Sequence, residues 1–583
     1  MKSILLLSVA LFLGQEFCHT AHALPSASST VPEGTIIDSP PPGETVVDGL
    51  LSDCEKHSKT SCFECVSTPQ LTDFGVVVDS TPCRWCPTTQ ECHAYGSLFD
   101  GACDIPIHTN DVKDQDYSNY VCESSHFAHI ASDFSNVDTD SLKEWVLYYL
   151  NNFSGEKHKF LDWGDETGIF SLATGKLLTH EEAEKLKSRN GETSSDTESV
   201  TIAVASDWGS GTRESAAVAS NMAQVNADFT IHLGDVYYEA LPEEIETNMY
   251  GKAPNEHQIG NVFPLGEKNS FYLNANHEML SLGNGYFDTL LPKTDQKASF
   301  FSLESDYWRF VGLDTGYDSY KTFEHIDAIS ELVETDAPLQ DKLVKWLNET
   351  LKIGEMCGSD KRGVVLFSHH QPISDFMEDE AYLGASKQLN DIMPHECTFI
   401  WLVGHEHSFN VYNKTDAFDG VEISFYNRLV GNGGFPQPPQ EPSKHTFLHA
   451  YDNRVYKTFQ LNGGKTEDYV FNGFFTMKVD GPRLYMEYHT VKCEGGGETT
   501  CPVIEGPHFN ETTILMSETF EVDNSGSVNL VSQDLNRELL TVIDPSNIKS
   551  YILPPEKRKK RQKRAFEDLF PTDDNIGKGE DDI

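Results

Sequence analysis

Between residues 200 and 403 the chain repeats one device, a short apolar run that ends in a polar cluster. Val200–Ala205, Phe229–Leu233, Phe310–Leu313, Val364–Phe367 and Phe399–Val403 are each of strand length. Patterns of helical spacing lie between them, most clearly Leu339, Leu343, Trp346, Leu347 and Leu351, which predict a helix over Leu339–Ile353. Strands covered on both faces lose the apolar–polar alternation and read as continuous runs, so apolar strands alternating with helices define an α/β layer fold. Phe471–Met477, Arg483–Thr490 and Ile514–Val522 follow as strands without helices between them, with Asp480-Gly481-Pro482 as a turn. They are expected to extend a sheet of the same domain.

The polar clusters lie where open α/β sheets place their ligands, beyond the carboxyl ends of strands. The first run leads into Ser206-Asp207-Trp208-Gly209, and the second into Gly234-Asp235-Val236-Tyr237-Tyr238. A further strand, Phe271–Leu273, leads into Asn274-Ala275-Asn276-His277-Glu278; the later runs lead into Ser368-His369-His370-Gln371-Pro372 and Gly404-His405-Glu406-His407. Each cluster alone has a bland reading as a helix cap or a turn. Together they offer carboxylates, imidazoles and an amide oxygen. That donor set suits two cations roughly 3.5–4 Å apart with a shared anionic ligand. Gly431-Asn432-Gly433-Gly434-Phe435-Pro436 is either a turn or a close approach to this region, and it lacks the Lys of a nucleotide loop.

Charge narrows the function further. The 583 residues hold Lys+Arg 44 against Asp+Glu 91, a net charge of −47, which repels nucleic acid and anionic membranes. An anionic substrate would then need a local positive charge, and bound metal ions are its most compact source. Residues 1–23 read as a secretory signal: Lys2, an apolar run from Ile4 to Leu13 and small residues at Ala21 and Ala23. That run is too short to span a membrane and no later one approaches the necessary length. Secretion, or a luminal place on the same route, is expected. Sequons at Asn152, Asn348, Asn413 and Asn510 agree with it.

Residues 24–50 are rich in Pro, Ser, Thr and Gly and read as a disordered linker. Residues 51–124 concentrate Cys54, Cys62, Cys65, Cys83, Cys86, Cys92, Cys103 and Cys122. They read as disulfides, as a zinc site between the two Cys-x-x-Cys pairs, or as a generic cysteine scaffold. Residues 125–197 form a polar connecting segment, 198–540 the α/β domain, and 541–583 a basic then acidic tail expected to be disordered. The basic run Lys557–Arg564 reads as a dibasic processing site, a polyanion patch or a plain charge block. Cys357 and Cys397 each stand shortly before a core strand and are positioned to pair.

The five polar clusters resemble the calcineurin-like metallophosphoesterase superfamily, and most nearly its purple acid phosphatase variety, over about residues 198–440 and more loosely to about 530. The resemblance implies a four-layer α/β/β/α sandwich and a secreted phosphatase that hydrolyses phosphomonoesters by attack of a metal-bound hydroxide. One ion would be held by Asp207, Tyr238 and His407, and the other by Asn276, His369 and His405, with Asp235 bridging. Many superfamily members carry His or Gln two residues after the first aspartate. Gly209 cannot coordinate, so a phenolate at Tyr238 is the implied replacement, and Fe(III) beside Fe, Zn or Mn the implied pair. His277 or His370 would protonate the leaving alkoxide, and Glu278 would orient a histidine.

Two departures stand out: Ala275 replaces the usual glycine, and the residues before His369 differ from the family pattern, leaving His370 as the alternative ligand. The spacing Cys-x7-Cys-x2-Cys at 54–65, with Cys83-Arg84-Trp85-Cys86, resembles the plexin-semaphorin-integrin module. It implies a small disulfide-rich domain that spaces or binds a protein partner. The substrate would be a phosphorylated small molecule or a phosphoprotein. A phosphodiesterase or nucleotide pyrophosphatase on the same metals, or an extracellular binding protein with an inactive phosphoesterase domain, are the alternatives.

Overall fold

The computed structural model describes residues 83–86, 91–94, 157–189, 199–252, 261–323, 331–376, 381–435, 437–443, 446–459, 466–493, 500–501 and 507–543. The expected signal segment and linker, most of the cysteine-rich segment, residues 125–156 and the tail from 544 lie outside them. Of the cysteine-rich segment only Cys83–Cys86 and Glu91–Ala94 are described, paired antiparallel.

The elements used below are β1 (Ile169–Ser171), α1 (His180–Arg189), β2 (Val200–Ala205), α2 (Arg213–Ala223), β3 (Phe229–His232), α3 (Pro242–Asn248), β4 (Asn269–Tyr272) and α4 (Asn276–Leu280). After them come β5 (Phe301–Glu304), β6 (Trp308–Gly312), α5 (Asp341–Glu349), β7 (Gly363–Ser368), α6 (Leu383–Ile392), β8 (Thr398–Val403), β9 (Phe409–Tyr412) and β10 (Ser424–Val430). The remainder are β11 (Leu448–Tyr451), β12 (Gly473–Asp480), β13 (Arg483–Cys493), β14 (Pro507–Val522), β15 (Val528–Leu535) and β16 (Thr541–Val542).

Two large sheets make up this mixed α/β body. One has seven strands in the order β15-β14-β13-β12-β2-β3-β4, and the other nine in the order β16-β11-β9-β10-β8-β7-β6-β5-β1. In the first, β2, β3 and β4 run parallel; in the second, β6, β7, β8 and β10 do. These are the continuous apolar runs of the sequence, and their burial explains why: every residue of β3, β7 and β8 is buried. The antiparallel β12, which pairs with β2, alternates buried and exposed residues toward its end, because only one of its faces meets the core.

The sheets pack on each other. Residues of both belong to one apolar core, and a Cβ on Gly363 of β7 would lie 2.4 Å from Val522 of β14. Arg428 of β10 and Glu518 of β14 form a buried ion pair between the sheets, with Nε donating to Oε2 at 2.9 Å. Tyr488 and Gln533 also donate to the carboxylate, at 3.2 and 2.7 Å, and the guanidinium donates to the carbonyls of Tyr412 and Asn427. Such a pair is tolerated because its remaining valences are met; removing one partner alone typically costs about 3–5 kcal/mol. Cys357 and Cys397 are disulfide-bonded, joining the loops that enter the neighbouring strands β7 and β8. In the chain-entropy account, closing a loop of 40 residues stabilises by about 4 kcal/mol.

Helices are few and short. α2 lies against β12 and β14, whereas Trp346 of α5 packs on Phe300 and donates to the carbonyl of Thr167 at 2.6 Å. α5 is shorter than the expected Leu339–Ile353, since Gln340 and Thr350 cap it, yet Leu339, Leu343, Trp346, Leu347 and Leu351 are all buried. The body also begins earlier than 198. β1 pairs with β5, and Trp163, buried, donates to the carbonyl of Phe300 at 2.9 Å. Residues 157–189 are thus an edge of the second sheet and its packing, not only a connector. At the other end, β16 pairs with β11. Among the described residues no helix is long and apolar enough to cross a membrane.

Candidate metal centre

The parallel strands of both sheets deliver their polar ends to one place. Asp207 follows β2, Asp235 follows β3, Asn276 opens α4 after β4, His369 follows β7, and His405 and His407 follow β8. Asp207, Asp235 and His405 hold φ of 56°, 73° and 71°. The left-handed region is uncommon outside glycine and costs about 1–3 kcal/mol per residue. Three such residues at the ends of three strands turn the chain sharply enough to bring their side chains together.

The side chains form two triads that share one carboxylate. Donor atoms of Asp235, His369 and His405 lie within 4.8 Å of one another, as do those of Asp207, Asp235 and His407. The oxygen Oδ2 of Asp235 is 3.3 Å from His369 Nε2. Asp207 Oδ1 is 3.3 Å from His407 Nε2. His405 turns Nδ1 toward the first triad, 3.2 Å from His369 Nε2 and 3.1 Å from Asn276 Oδ1. His405 and His407 therefore diverge.

Each ligand candidate is held from behind. Ser206 Oγ and the His405 N–H donate to Asp207 Oδ2 at 2.6 and 3.1 Å, which leaves Oδ1 for His407. Glycine is needed beside this contact, since a Cβ on Gly404 would lie 1.9 Å from Ser206 Oγ. Gly431 and Gly433 come equally close to Glu406 and Ser206, so the glycine-rich segment does approach the cluster. His369 Nδ1 lies 3.1 Å from the carbonyl of Leu233; donating there, it frees Nε2 for the cluster. The methyl group of Ala275 is accommodated because Gly234, at φ 103°, presents no side chain to it; a Cβ there would be 2.6 Å away.

Three assignments differ from the sequence reading. The phenol in the cluster is that of Tyr237, not Tyr238. Its hydroxyl donates to Asp235 Oδ2 at 3.0 Å and to Asp207 Oδ1 at 3.2 Å, and lies 2.8 Å from His407 Nε2. The cause is the backbone. Tyr237 N–H donates to Gly209 O at 3.0 Å, and Tyr238 N–H is taken by Glu244 at 2.7 Å, which aims the first ring inward. Tyr238 is half-buried near His277, and burial, then Glu244, pushes its hydroxyl well up. Among the described residues Glu278 orients no histidine through a hydrogen bond. It accepts the N–H groups of Asp235, Val236 and Ala275 at 3.3, 3.0 and 3.1 Å, tying the Asp235 loop to α4. His370 stands behind His369, buried, with Nδ1 3.0 Å from Thr315 Oγ1, and burial with the neighbouring His405 and His369 holds it far below the usual imidazole range. His277 is the partly exposed one. Its Nδ1 donates to Tyr238 O at 2.5 Å and its Nε2 lies 3.9 Å from Asp235.

The donors fit a pair of cations. Two carboxylates, both buried, meet three imidazoles, and neither carboxylate is paired with Lys or Arg among the described residues. Among the described residues, positive charge at these carboxylates comes from protonated imidazole. Burial opposes a charge on His369, but Asp235, then Asp207 and Glu278, outweigh it and raise the ring to about 9. Burial likewise opposes ionisation of Asp235, yet His369, His277 and His405 hold that carboxyl well below its usual range. Desolvation, then charged His369, hold the half-buried His405 down to about 3.

With a raised folded pKa, the His369 charge stabilises the metal-free fold fully below about pH 6.5 and ceases to as pH rises through about 9. A cation must displace that proton. Zinc binding near pH 7 is therefore expected to release at least about one proton per chain, with the release fading above about pH 9. Calorimetry in buffers of different ionisation enthalpy reads it; no proton release at neutral pH would contradict this assignment.

No protein-family model and no curated protein matches the chain. Among solved structures it is similar to a purple acid phosphatase isolated from yellow lupin (Lupinus luteus) seeds, at 13% identity and a TM-score of 0.35, over 61% of this chain and 57% of that one. It is also similar to PhoD, at 12% identity and a TM-score of 0.34, over 65% and 78%. This chain thus spans little more than half the length of the lupin enzyme. At these scores the likeness decides neither fold nor chemistry, which rest on the sheets and side chains above.

Proposed function

We propose that this chain is a dinuclear metal-dependent phosphatase of the calcineurin-like metallophosphoesterase superfamily, of the purple acid phosphatase kind, acting on phosphomonoesters in a secretory or extracellular setting. The observation that carries the reading is the pair of donor triads meeting at Asp235. Asp207, His407 and the Tyr237 phenol would hold one ion, His369, His405 and the Asn276 oxygen the other, with Asp235 between them. A phenol among the donors favours Fe(III) at the first position, with Fe, Zn or Mn at the second. When bound, such a pair acidifies water to a nucleophile and neutralises phosphoryl oxygens.

The protein's own groups do the rest. His277, partly exposed and with Nδ1 engaged by Tyr238 O, presents Nε2 toward the cluster and is placed to hand a proton to the leaving alkoxide. Ser206 and the His405 N–H fix Asp207, and Glu278 fixes the Asp235 loop. The placement of α2 on one sheet and α5 beside the other supports a four-layer α/β/β/α arrangement, and the Cys357–Cys397 bridge supports an oxidising compartment.

The test is hydrolysis of p-nitrophenyl phosphate and bis-p-nitrophenyl phosphate from about pH 4 to about pH 8, with Fe, Zn and Mn supplied. Faster turnover of the monoester is expected. Preference for the diester would move the proposal to a phosphodiesterase, and no turnover of either by metal-loaded protein would leave a binding protein.

A further inference from the structure

On the His369–His405 side of the cluster, the second ring nitrogen of His405 is met by a side chain outside the five strand-end clusters. Its Nε2 lies 2.8 Å from the hydroxyl of Tyr382. Tyr382 is rigidly mounted. It stands at the start of α6, its N–H donates to the carbonyl of Gln371 at 3.0 Å, and its ring packs edge-on against His370 and His405 at 4.6 and 5.2 Å. Tyr382 is 8% exposed, beside the half-buried His405.

An imidazole that binds a cation through one nitrogen must carry its proton on the other. Here Nδ1 faces Asn276 and His369, so the binding tautomer is the one protonated at Nε2. That tautomer needs an acceptor at Nε2, and the Tyr382 oxygen lies within reach of it. We propose that Tyr382 is a positioning residue for one of the two cations: it accepts the Nε2 proton of His405 and fixes the tautomer and angle in which Nδ1 is a ligand. Ring packing involves the aromatic body of Tyr382 and the hydroxyl reaches His405, so Tyr382→Phe removes that contact and keeps the ring. Tyr382 reaches the cluster through His405, so its effect is expected on the His369–His405 side. The inference rests on the dinuclear reading.

The experiment is stepwise metal binding to the full chain, using zinc against a competing chelator, with the unfolding midpoint of the metal-free protein measured alongside. In Tyr382→Phe the affinity for one ion is expected to fall about 10- to 100-fold, the usual cost of losing an outer partner of a ligand histidine. The other ion should bind as in the unaltered protein, at an unchanged midpoint. Unchanged affinity for both ions, or equal weakening of both with a lowered midpoint, overturns the positioning role while leaving the dinuclear reading intact. An unaltered chain that binds no zinc overturns both.

Discussion

Asp235→Asn is expected to lose both cations at metal concentrations that saturate the unaltered chain, and to lower phosphomonoester turnover by about 10³-fold or more, the scale on which removing a preorganised electrostatic group acts. Asp235 is the only residue common to the two triads. Its replacement removes the negative charge that draws positive charge onto His369 and keeps nearly the same volume at a buried position. The N–H groups that Glu278 accepts are retained, so the loop keeps its shape. Asp207→Asn is the informative comparison, because Asp207 is not a member of the Asp235–His369–His405 triad and its loss should cost one ion. Metal analysis after equilibrium dialysis, with circular dichroism as the control for folding, separates the two variants. Retention of both ions in Asp235→Asn would remove the shared-ligand arrangement.

The second large effect concerns colour. If iron loads the site next to a phenol, the protein absorbs in the visible, and Tyr237→Phe should abolish that band. It should also weaken ferric binding by at least the roughly 10- to 100-fold that loss of an outer ligand partner costs. Tyr238→Phe should keep the band, because the Tyr237 hydroxyl, and not that of Tyr238, reaches Asp207, Asp235 and His407. The opposite result, a band lost with Tyr238 and kept without Tyr237, would restore the assignment that motif spacing alone implies. A colourless, active protein would point to a metal pair without ferric iron.

The difference between those two tyrosines shows where local sequence stops being informative. The strand ends at Asp207, Asp235, His369 and His405 were legible because fully buried parallel strands are written as unbroken apolar runs, and the polar residue after each run has nowhere else to be. Aim within a turn is not written that way. A one-residue change in which ring faces inward depends on φ at Asp235 and on backbone N–H groups donating to Gly209 O and the Glu244 carboxylate, partners that spacing does not reveal. Sequence favoured His369 over His370 as the ligand without settling it, for a similar reason, and Leu233 O and Thr315 Oγ1 separate them.

Tyr382 had no signal at all. It belongs to the loop entering α6, and only the fold carries it to His405. Ile169–Ser171 is three residues long, too short for a periodic pattern, so the edge it adds to the second sheet was hidden inside a segment that read as polar.

The most direct test of the central claim is the number of metal ions bound per chain at saturation, measured by elemental analysis of the unaltered protein after dialysis against zinc and, separately, iron. Two ions are expected, one for each triad. A saturated stoichiometry of one, or of none, would contradict a shared Asp235 between two cations.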